Sequence, residues 1–155
     1  MNKGISTALS AIGIAQGLKI VTNRWKTGKW DWRSIFQTGG MPSSHSAGVS
    51  SIAAYVAANR GTRHTETALA VVFGSIVMYD AQGLRRHTGE IAKLVNELED
   101  NVEEISKTTS IEYFNQNEEL NELLGHQPAE VLFGSLFGIL YGWSIAKYED
   151  HLQNK

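Results

Sequence analysis

The amino-acid sequence predicts an all-α fold, a helical bundle embedded in a membrane with about four core helices. Four apolar stretches are separated by polar segments, and they cover residues 5–21, 46–58, 67–79 and 129–146. The alternation of apolar and polar residues that marks a β-strand is almost absent. Glycine, alanine and serine are frequent in the apolar stretches, and small residues let membrane helices approach closely.

Length and composition limit the classes of function. At 155 residues the chain has room for one domain, which we assign to residues 1–155. The 19% of charged residues is low beside the roughly 25% usual in soluble domains. With no cysteine, a disulfide scaffold, a thiolate metal site and a cysteine nucleophile are excluded. A net charge of -2 argues against a protein that binds nucleic acid through bulk basic charge.

The stretch 129–146 is the clearest candidate for a membrane-spanning helix, because about 20 apolar residues cross a bilayer. Gly134, Gly138 and Gly142 recur every fourth residue within it. That spacing places them on one helix face, where a second helix can pack closely.

The other three stretches are weaker candidates. The first contains Gln16 and Lys19, and 46–58 and 67–79 are each short for a membrane span. The two short ones reach spanning length only if their polar ends, at 42–45 and 80–83, are helical and face the protein interior. On that condition the sequence predicts a multi-pass protein of the cell membrane.

Charged residues are concentrated between the apolar stretches. Residues 19–33 contain five basic residues and one acid, and residues 97–122 contain nine acids and one lysine. Both blocks are predicted to be polar connections. We interpret 97–122 as an acidic inserted segment that forms a solvated cover over one end of the bundle, with a lid or a partner surface as alternatives.

Alternate crossing of four helices brings several polar side chains to one end of the bundle. His45 begins the second helix and His126 precedes the fourth. Lysine and arginine side chains of the first loop and of the segment after the third helix reach the same end: Lys26, Arg33, Arg85 and Arg86. Two histidines among cations are typical of an anion site, because fixed cations stabilise the oxygens of a phosphoryl group.

Phosphoryl transfer through histidine assigns different tasks to the two imidazoles. A neutral nucleophile needs a partner that orients its ring, and Glu130 follows His126 by four residues. A second, protonated histidine must donate to the leaving oxygen, for which His45 is the candidate. The run 42–46 also opens a helix, where free backbone N–H groups bind anions. No metal or cofactor is predicted, because Asp80, Glu130 and the histidines do not have a recognised ligand spacing.

These residues carry a resemblance to a known family. Lys26 and Arg33 are separated by six residues, and 42–45 read Pro-Ser-Ser-His. A third block is split, since 39 residues separate Arg86 from His126. The sequence resembles the superfamily of type 2 phosphatidic acid phosphatases and vanadium haloperoxidases, specifically its small divergent membrane branch. That superfamily has Pro-Ser-Gly-His in the second block, five residues in the gap of the third, and aspartate where Glu130 stands here.

The resemblance implies an acid phosphatase/vanadium haloperoxidase-like fold and a metal-independent phosphatase. Its substrate would be a phosphomonoester or pyrophosphate carried on a lipid. By the same resemblance His126 would form a phosphohistidine, Glu130 would orient it, and His45 would be the acid. Phosphate would be bound by Lys26, Arg33, Ser44, Arg85 and Arg86.

Two alternatives remain. In the first, the chain is a non-catalytic membrane protein that binds a phosphorylated lipid or a protein partner through the retained pocket. Glu130 in place of aspartate and the inserted segment favour it, whereas retention of His45 and His126 opposes it. The second, vanadate-dependent halide oxidation, is disfavoured by so small a membrane-like chain.

Overall fold

A computed structural model describes residues 2–35, 39–109, 119–120, 122 and 124–154, without the side chains of Arg33 and Ile35. Within these residues, five α-helices and one short 3-10 helix follow one another: α1 (Lys3–Thr27), the 3-10 helix (Trp32–Ile35), α2 (Ser44–Arg60), α3 (Thr65–Gln82), α4 (Leu84–Thr109) and α5 (Pro128–Gln153). The described residues form no β-strand. The predicted all-α class is therefore confirmed.

Among the described residues, three helical segments are long and apolar enough to cross a membrane: α1, the α3–α4 segment Thr65–Thr109, and α5. Large apolar side chains such as Leu9, Phe73 and Leu140 are more than half exposed on their outer faces. Outward apolar surface of this kind is expected where lipid replaces water as the solvent. The predicted membrane-embedded bundle is thus confirmed.

Helix α2 lies at the centre, packed against α1, α3 and α5. Its buried face consists of small residues, among them Ala47, Ser50 and Ser51. The two serine hydroxyls donate to backbone carbonyls of their own helix, Ser50 Oγ to Ser46 O at 2.6 Å and Ser51 Oγ to Gly48 O at 2.8 Å. These polar groups are therefore satisfied without water, and neighbouring backbones can lie close.

Helix α5 packs against α2 through Gly134, Gly138 and Gly142, all of which are buried. A Cβ atom added to any of the three would overlap a carbonyl oxygen of α2 or of its N-cap residue. The predicted glycine face of the fourth spanning helix is confirmed, and it sets how closely the two backbones approach.

The two charged blocks are more helical than predicted. Helix α1 continues to Thr27, so only the later part of block 19–33 is a connection. Helix α4 includes residues 97–109, the first half of the acidic segment, whereas 110–118 lie outside the described residues. Glutamate, which favours helix, is frequent in residues 97–109, so this part of the polar connection is helical.

Candidate active site

The position of His45 follows from the N-terminus of α2. Ser43 is the N-cap residue, and its Oγ accepts a hydrogen bond from the backbone N–H of Ser46 at 3.3 Å. The N–H of Ser43 donates in turn to the carbonyl oxygen of Glu130 at 3.0 Å. His45 therefore lies in the first turn of α2, directly beside the start of α5.

His126 lies in the segment that leads into α5. Its backbone N–H donates to the carbonyl oxygen of Ala81, near the end of α3, at 2.9 Å. The preceding Gly125 has φ +88 and packs directly on the backbone of Arg86, where a Cβ atom would overlap. Only glycine adopts this positive φ easily and has no Cβ atom to overlap with Arg86. The end of α3 and the start of α4 therefore together fix the position of His126.

The structure brings the two histidines together. Their ring centroids lie 5.5 Å apart, and the ring planes meet at 79°. The residue His126 is only 2% exposed. Both its ring nitrogens, and Nδ1 of His45, are buried without a hydrogen-bond partner among the described residues. Leaving buried polar atoms unpaired costs about 1–3 kcal/mol each, so they indicate a site for a polar ligand.

The surroundings of His126 keep its imidazole neutral. Burial lowers the pKa of His126 from 6.5 to about 4, and the nearby positive charges of His45, Lys19 and Arg85 act in the same direction. Near pH 7 the ring therefore carries a free lone pair on one nitrogen. A neutral imidazole is the form that a nucleophile requires.

Glu130 does not make the hydrogen bond to His126 that its spacing predicted. The residue is buried, and its Oε2 accepts from the backbone N–H of Gln127 at 3.2 Å and of Gly40 at 3.3 Å. The expected pairing assumed that His126 was helical, but α5 begins only at Pro128. Without a shared helical turn, the four-residue spacing does not bring the two side chains into contact.

Arg85 and Arg86 follow the kink between α3 and α4, and each is paired with a carboxylate. Arg85 Nε lies 2.8 Å from Asp80 Oδ2, and Arg86 Nε lies 3.1 Å from Glu90 Oε1. Both arginine side chains are about half exposed. Both arginines lie at the candidate site. To bind phosphate, each guanidinium would have to contact its carboxylate and the phosphate together, or leave the carboxylate.

The remaining predicted phosphate-binding residues differ in position. Ser44 is buried as the first residue of α2, next to His45. Lys26 is exposed and borders a small groove of about 50 Å³ beside Gly39 and Gly40. Arg33 belongs to the 3-10 helix, and its side chain lies outside the described residues.

Lys19 is a site residue that the sequence reasoning missed. It is only 2% exposed, its methylene groups pack against Gly40, and Glu130 lies within electrostatic reach. Its charge also acts on the ring of His126. The available signal was a lysine in an apolar stretch, because an ionisable residue within a membrane helix usually serves a function.

A cavity of about 710 Å³ borders the buried residue His126, whereas His45 is not among the residues that line it. Its wall includes Gly40 and Glu130 on one side and Arg86 and Lys93 of α4 on the other. This volume suits a ligand of the size of a phosphorylated headgroup. Among the described residues no three histidine, aspartate or glutamate side chains converge as they would around a metal ion.

Comparison with known proteins places this arrangement in a family. The family model described as "Divergent PAP2 family" matches residues 1–141. The chain is also similar to the "Uncharacterized membrane protein YuiD" of Bacillus subtilis (strain 168), with 40% identity over 143 residues and 90% of each chain covered. No solved structure matches. Since the match spans the bundle and both histidines, the chain belongs to the divergent PAP2 family of membrane proteins.

Proposed function

We propose that this protein is a metal-independent membrane phosphatase that hydrolyses a phosphomonoester or a pyrophosphate on a lipid through a phosphohistidine. The proposal rests on one observation above all. Two imidazoles from distant parts of the chain lie 5.5 Å apart, and the buried one has both nitrogens unpaired. A phosphoryl group bound beside the two rings would give one nitrogen of His126 a partner.

In the first step a ring nitrogen of His126 attacks phosphorus, and the bond from phosphorus to the leaving oxygen breaks. His45, protonated, donates its proton to that oxygen, which leaves as an alcohol or a lipid phosphate. The product is a phosphohistidine at His126. The neutral state of this ring near pH 7 suits the role, because a protonated imidazole has no lone pair to attack with.

In the second step water attacks the phosphorus of the phosphohistidine. The now neutral His45 takes the proton of the water, and the bond between phosphorus and nitrogen breaks. Inorganic phosphate leaves, and both histidines return to their starting states. One residue thus serves first as acid and then as base, as general acid–base catalysis of the two steps requires.

Cations around the pair stabilise the charge on the phosphoryl oxygens. Lys19 is the most deeply buried of them, and Arg85 and Arg86 approach from the start of α4. The arginines turn towards phosphate by sharing or leaving Asp80 and Glu90. Lys26, Arg33 and Ser44 complete the proposed phosphate-binding set, and Glu130 supports it by holding the turn at Gly40.

The membrane location favours a substrate with a lipid tail. His45 and His126 lie at the ends of helices that pack in the bundle, where a headgroup can reach them while its acyl chains stay in the bilayer. A water-soluble phosphomonoester would lose that anchorage. We therefore expect lipid substrates to be hydrolysed faster than their soluble headgroups.

A second function, binding of a phosphorylated lipid without turnover, is favoured by the position of the Glu130 carboxylate. Glu130 is bound to the backbone N–H groups of Gln127 and Gly40 instead of to His126. In this alternative the pocket binds a headgroup, but Glu130 does not orient the ring of His126 for attack.

Phosphate release from purified protein in detergent distinguishes the two functions. The substrates are phosphatidate, phosphatidylglycerophosphate, a polyprenyl pyrophosphate and soluble glycerol phosphate. We expect release from at least one lipid by the wild type and loss of release in His126→Asn and His45→Asn. His151→Asn, an exposed histidine near the C-terminus, serves as the matched control. Equal release by all four proteins would exclude catalysis by this pair, and saturable lipid binding without release would support the alternative.

A further inference from the structure

Helix α4 carries an apolar stripe that nothing in the described chain covers. Among the described helices α4 contacts only α3, from which it continues. The large apolar side chains of the stripe are between 42% and 69% exposed: Leu84, Ile91, Val95, Leu98 and Ile105. In water such a continuous stripe is unfavourable, so it marks a contact surface.

The spacing of this stripe is that of a coiled coil. Successive positions are four and three residues apart in strict alternation over the whole helix: Leu84, Thr88, Ile91, Val95, Leu98, Val102, Ile105 and Thr109. A repeat of seven residues keeps one seam facing a partner helix along its full length. We call these eight residues the α4 seam.

Charge argues against an anionic membrane surface as the partner of the α4 seam. Five acids lie between residues 97 and 104, within the same three turns as Leu98 and Val102. Acidic side chains are expensive in hydrocarbon, and amphipathic helices that bind a lipid surface are usually rich in lysine and arginine. An acidic helix is repelled by anionic headgroups. We therefore expect the α4 seam to pack against a protein surface.

We propose that the α4 seam packs against the α4 seam of a second copy of this chain, in a parallel two-stranded coiled coil. In the seven-residue repeat, the core positions called a hold Thr88, Val95, Val102 and Thr109, and the core positions called d alternate leucine with isoleucine. β-branched residues at position a, together with leucine at position d, favour a parallel coiled coil of two helices. Copies in one membrane share their orientation, which also favours the parallel arrangement.

The charged residues of α4 are placed so that this pairing meets no like charges. Position g of the seven-residue repeat, on one flank of the seam, is occupied by His87, Leu94, Asn101 and Thr108. None of these four residues is an acid, a lysine or an arginine. In a parallel pair this flank faces the other flank of the partner helix, where the charged residues are Arg85 and Glu99. Of the remaining acids, Glu90, Glu97, Asp100 and Glu104 are exposed, and none of them occupies a seam or flank position.

The other side of α4 is occupied by its own chain, which leaves the seam free for a partner. Asn96 Nδ2 donates to the carbonyl oxygen of Leu120 at 3.0 Å, and the N–H of Leu120 donates to Asn96 Oδ1 at 3.0 Å. Gly89 packs on the backbone at Glu122 and Leu124. Because Arg86 and Lys93 on this helix also line the cavity of His126, pairing of α4 holds one wall of the site in place.

Cysteine cross-linking tests the proposal directly, because the natural chain has no cysteine. Ile91→Cys and Ile105→Cys place thiols on the seam, about 21 Å apart along the helix. Asp100→Cys places one on the outer surface as the matched control. With full-length protein in membranes, we expect a covalent dimer from each seam variant under mild oxidation and little from the control.

The pattern of cross-links distinguishes a parallel dimer from the other arrangements. An antiparallel pair would cross-link at no more than one of the two seam positions, and a ladder above the dimer would exclude two strands. Equal yields at positions 91, 100 and 105 would overturn the proposal.

In a second measurement, the mass of the wild-type protein in detergent should be twice that of the double variant Val95→Asp/Leu98→Asp, with equal helix content by circular dichroism. A monomeric wild type would also overturn it. Neither readout depends on catalysis.

Discussion

The carboxylate of Glu130, in the first turn of α5, accepts a hydrogen bond from the backbone N–H of Gly40, which lies 90 residues earlier in the chain. The same Oε2 caps α5 by accepting from the N–H of Gln127. Its backbone oxygen accepts from Ser43 at the start of α2. One residue thereby joins the two helix ends that carry the histidine pair.

Replacement of Glu130 should separate its acceptor role from its charge. In Glu130→Ala the N–H groups of Gly40 and Gln127 lose their acceptor, which should lower the free energy of unfolding by about 1–3 kcal/mol. Glu130→Gln keeps an acceptor oxygen and should retain most of that stability. Thermal unfolding in detergent measures both, with Glu97→Ala as the exposed control. A glutamine variant as unstable as the alanine variant would show that the charge matters instead.

Lys19 should contribute more to turnover than Lys26 does. Lys19→Met removes a buried cation beside His126 and is expected to lower kcat/KM by about 100-fold or more. Lys26 is exposed, so Lys26→Met should cost less than about 10-fold because water screens its charge. The measurement is kcat/KM on the lipid phosphate that the protein hydrolyses. The opposite ranking would place the phosphate nearer to Lys26 than to Lys19.

Gly142 should tolerate no side chain, whereas Gly17 should. A Cβ at Gly142 would overlap the carbonyl oxygen of Ser51, but a Cβ at Gly17 meets nothing within 4 Å. Gly142→Ala forces α2 and α5 apart and should destabilise the bundle by about 1–3 kcal/mol. Gly17→Ala should be neutral or slightly stabilising, because alanine favours helix over glycine. Equal melting temperatures for the two variants would contradict the close packing of α5 on α2.

The pKa of His126 predicts how stability changes with pH. Above pH 6.5 this residue is neutral in both the folded and the unfolded chain, so its contribution is fully present. As pH falls from 6.5 towards 4, the unfolded chain takes up a proton that the folded protein does not, and stability is lost. The fall in melting temperature between pH 7 and pH 4.5 should therefore be smaller in His126→Asn than in the wild type. Identical falls would mean that the ring is not buried as a neutral group.

The sequence was sufficient for the helices whose apolar pattern is continuous. The stretch 129–146 and the glycines at 134, 138 and 142 predicted α5 and its contact face, because backbone approach depends on local side-chain size. The convergence of His45 and His126 also followed from alternate crossing of helices. Both inferences depend only on where helices begin and end.

Contacts between distant residues were not predictable in the same way. Glu130 was assigned to His126 from a four-residue spacing, but the chain is not helical at His126 and the carboxylate binds Gly40 instead. Lys19 was counted only as part of a basic block, although folding buries it against Gly40. A lysine in an apolar stretch indicates a function, but the contacts that bury it are set by the packing of several segments.

Trapping of the covalent intermediate tests the central claim most directly. Wild-type protein turning over a lipid phosphate is quenched in alkali, which preserves phosphohistidine, and its peptides are mapped by mass spectrometry. We predict a phosphoryl group on His126 in the wild type and none in His126→Asn, which should also release no phosphate. Phosphate release that persists in His126→Asn, or a phosphoryl group found on another residue, would contradict the account.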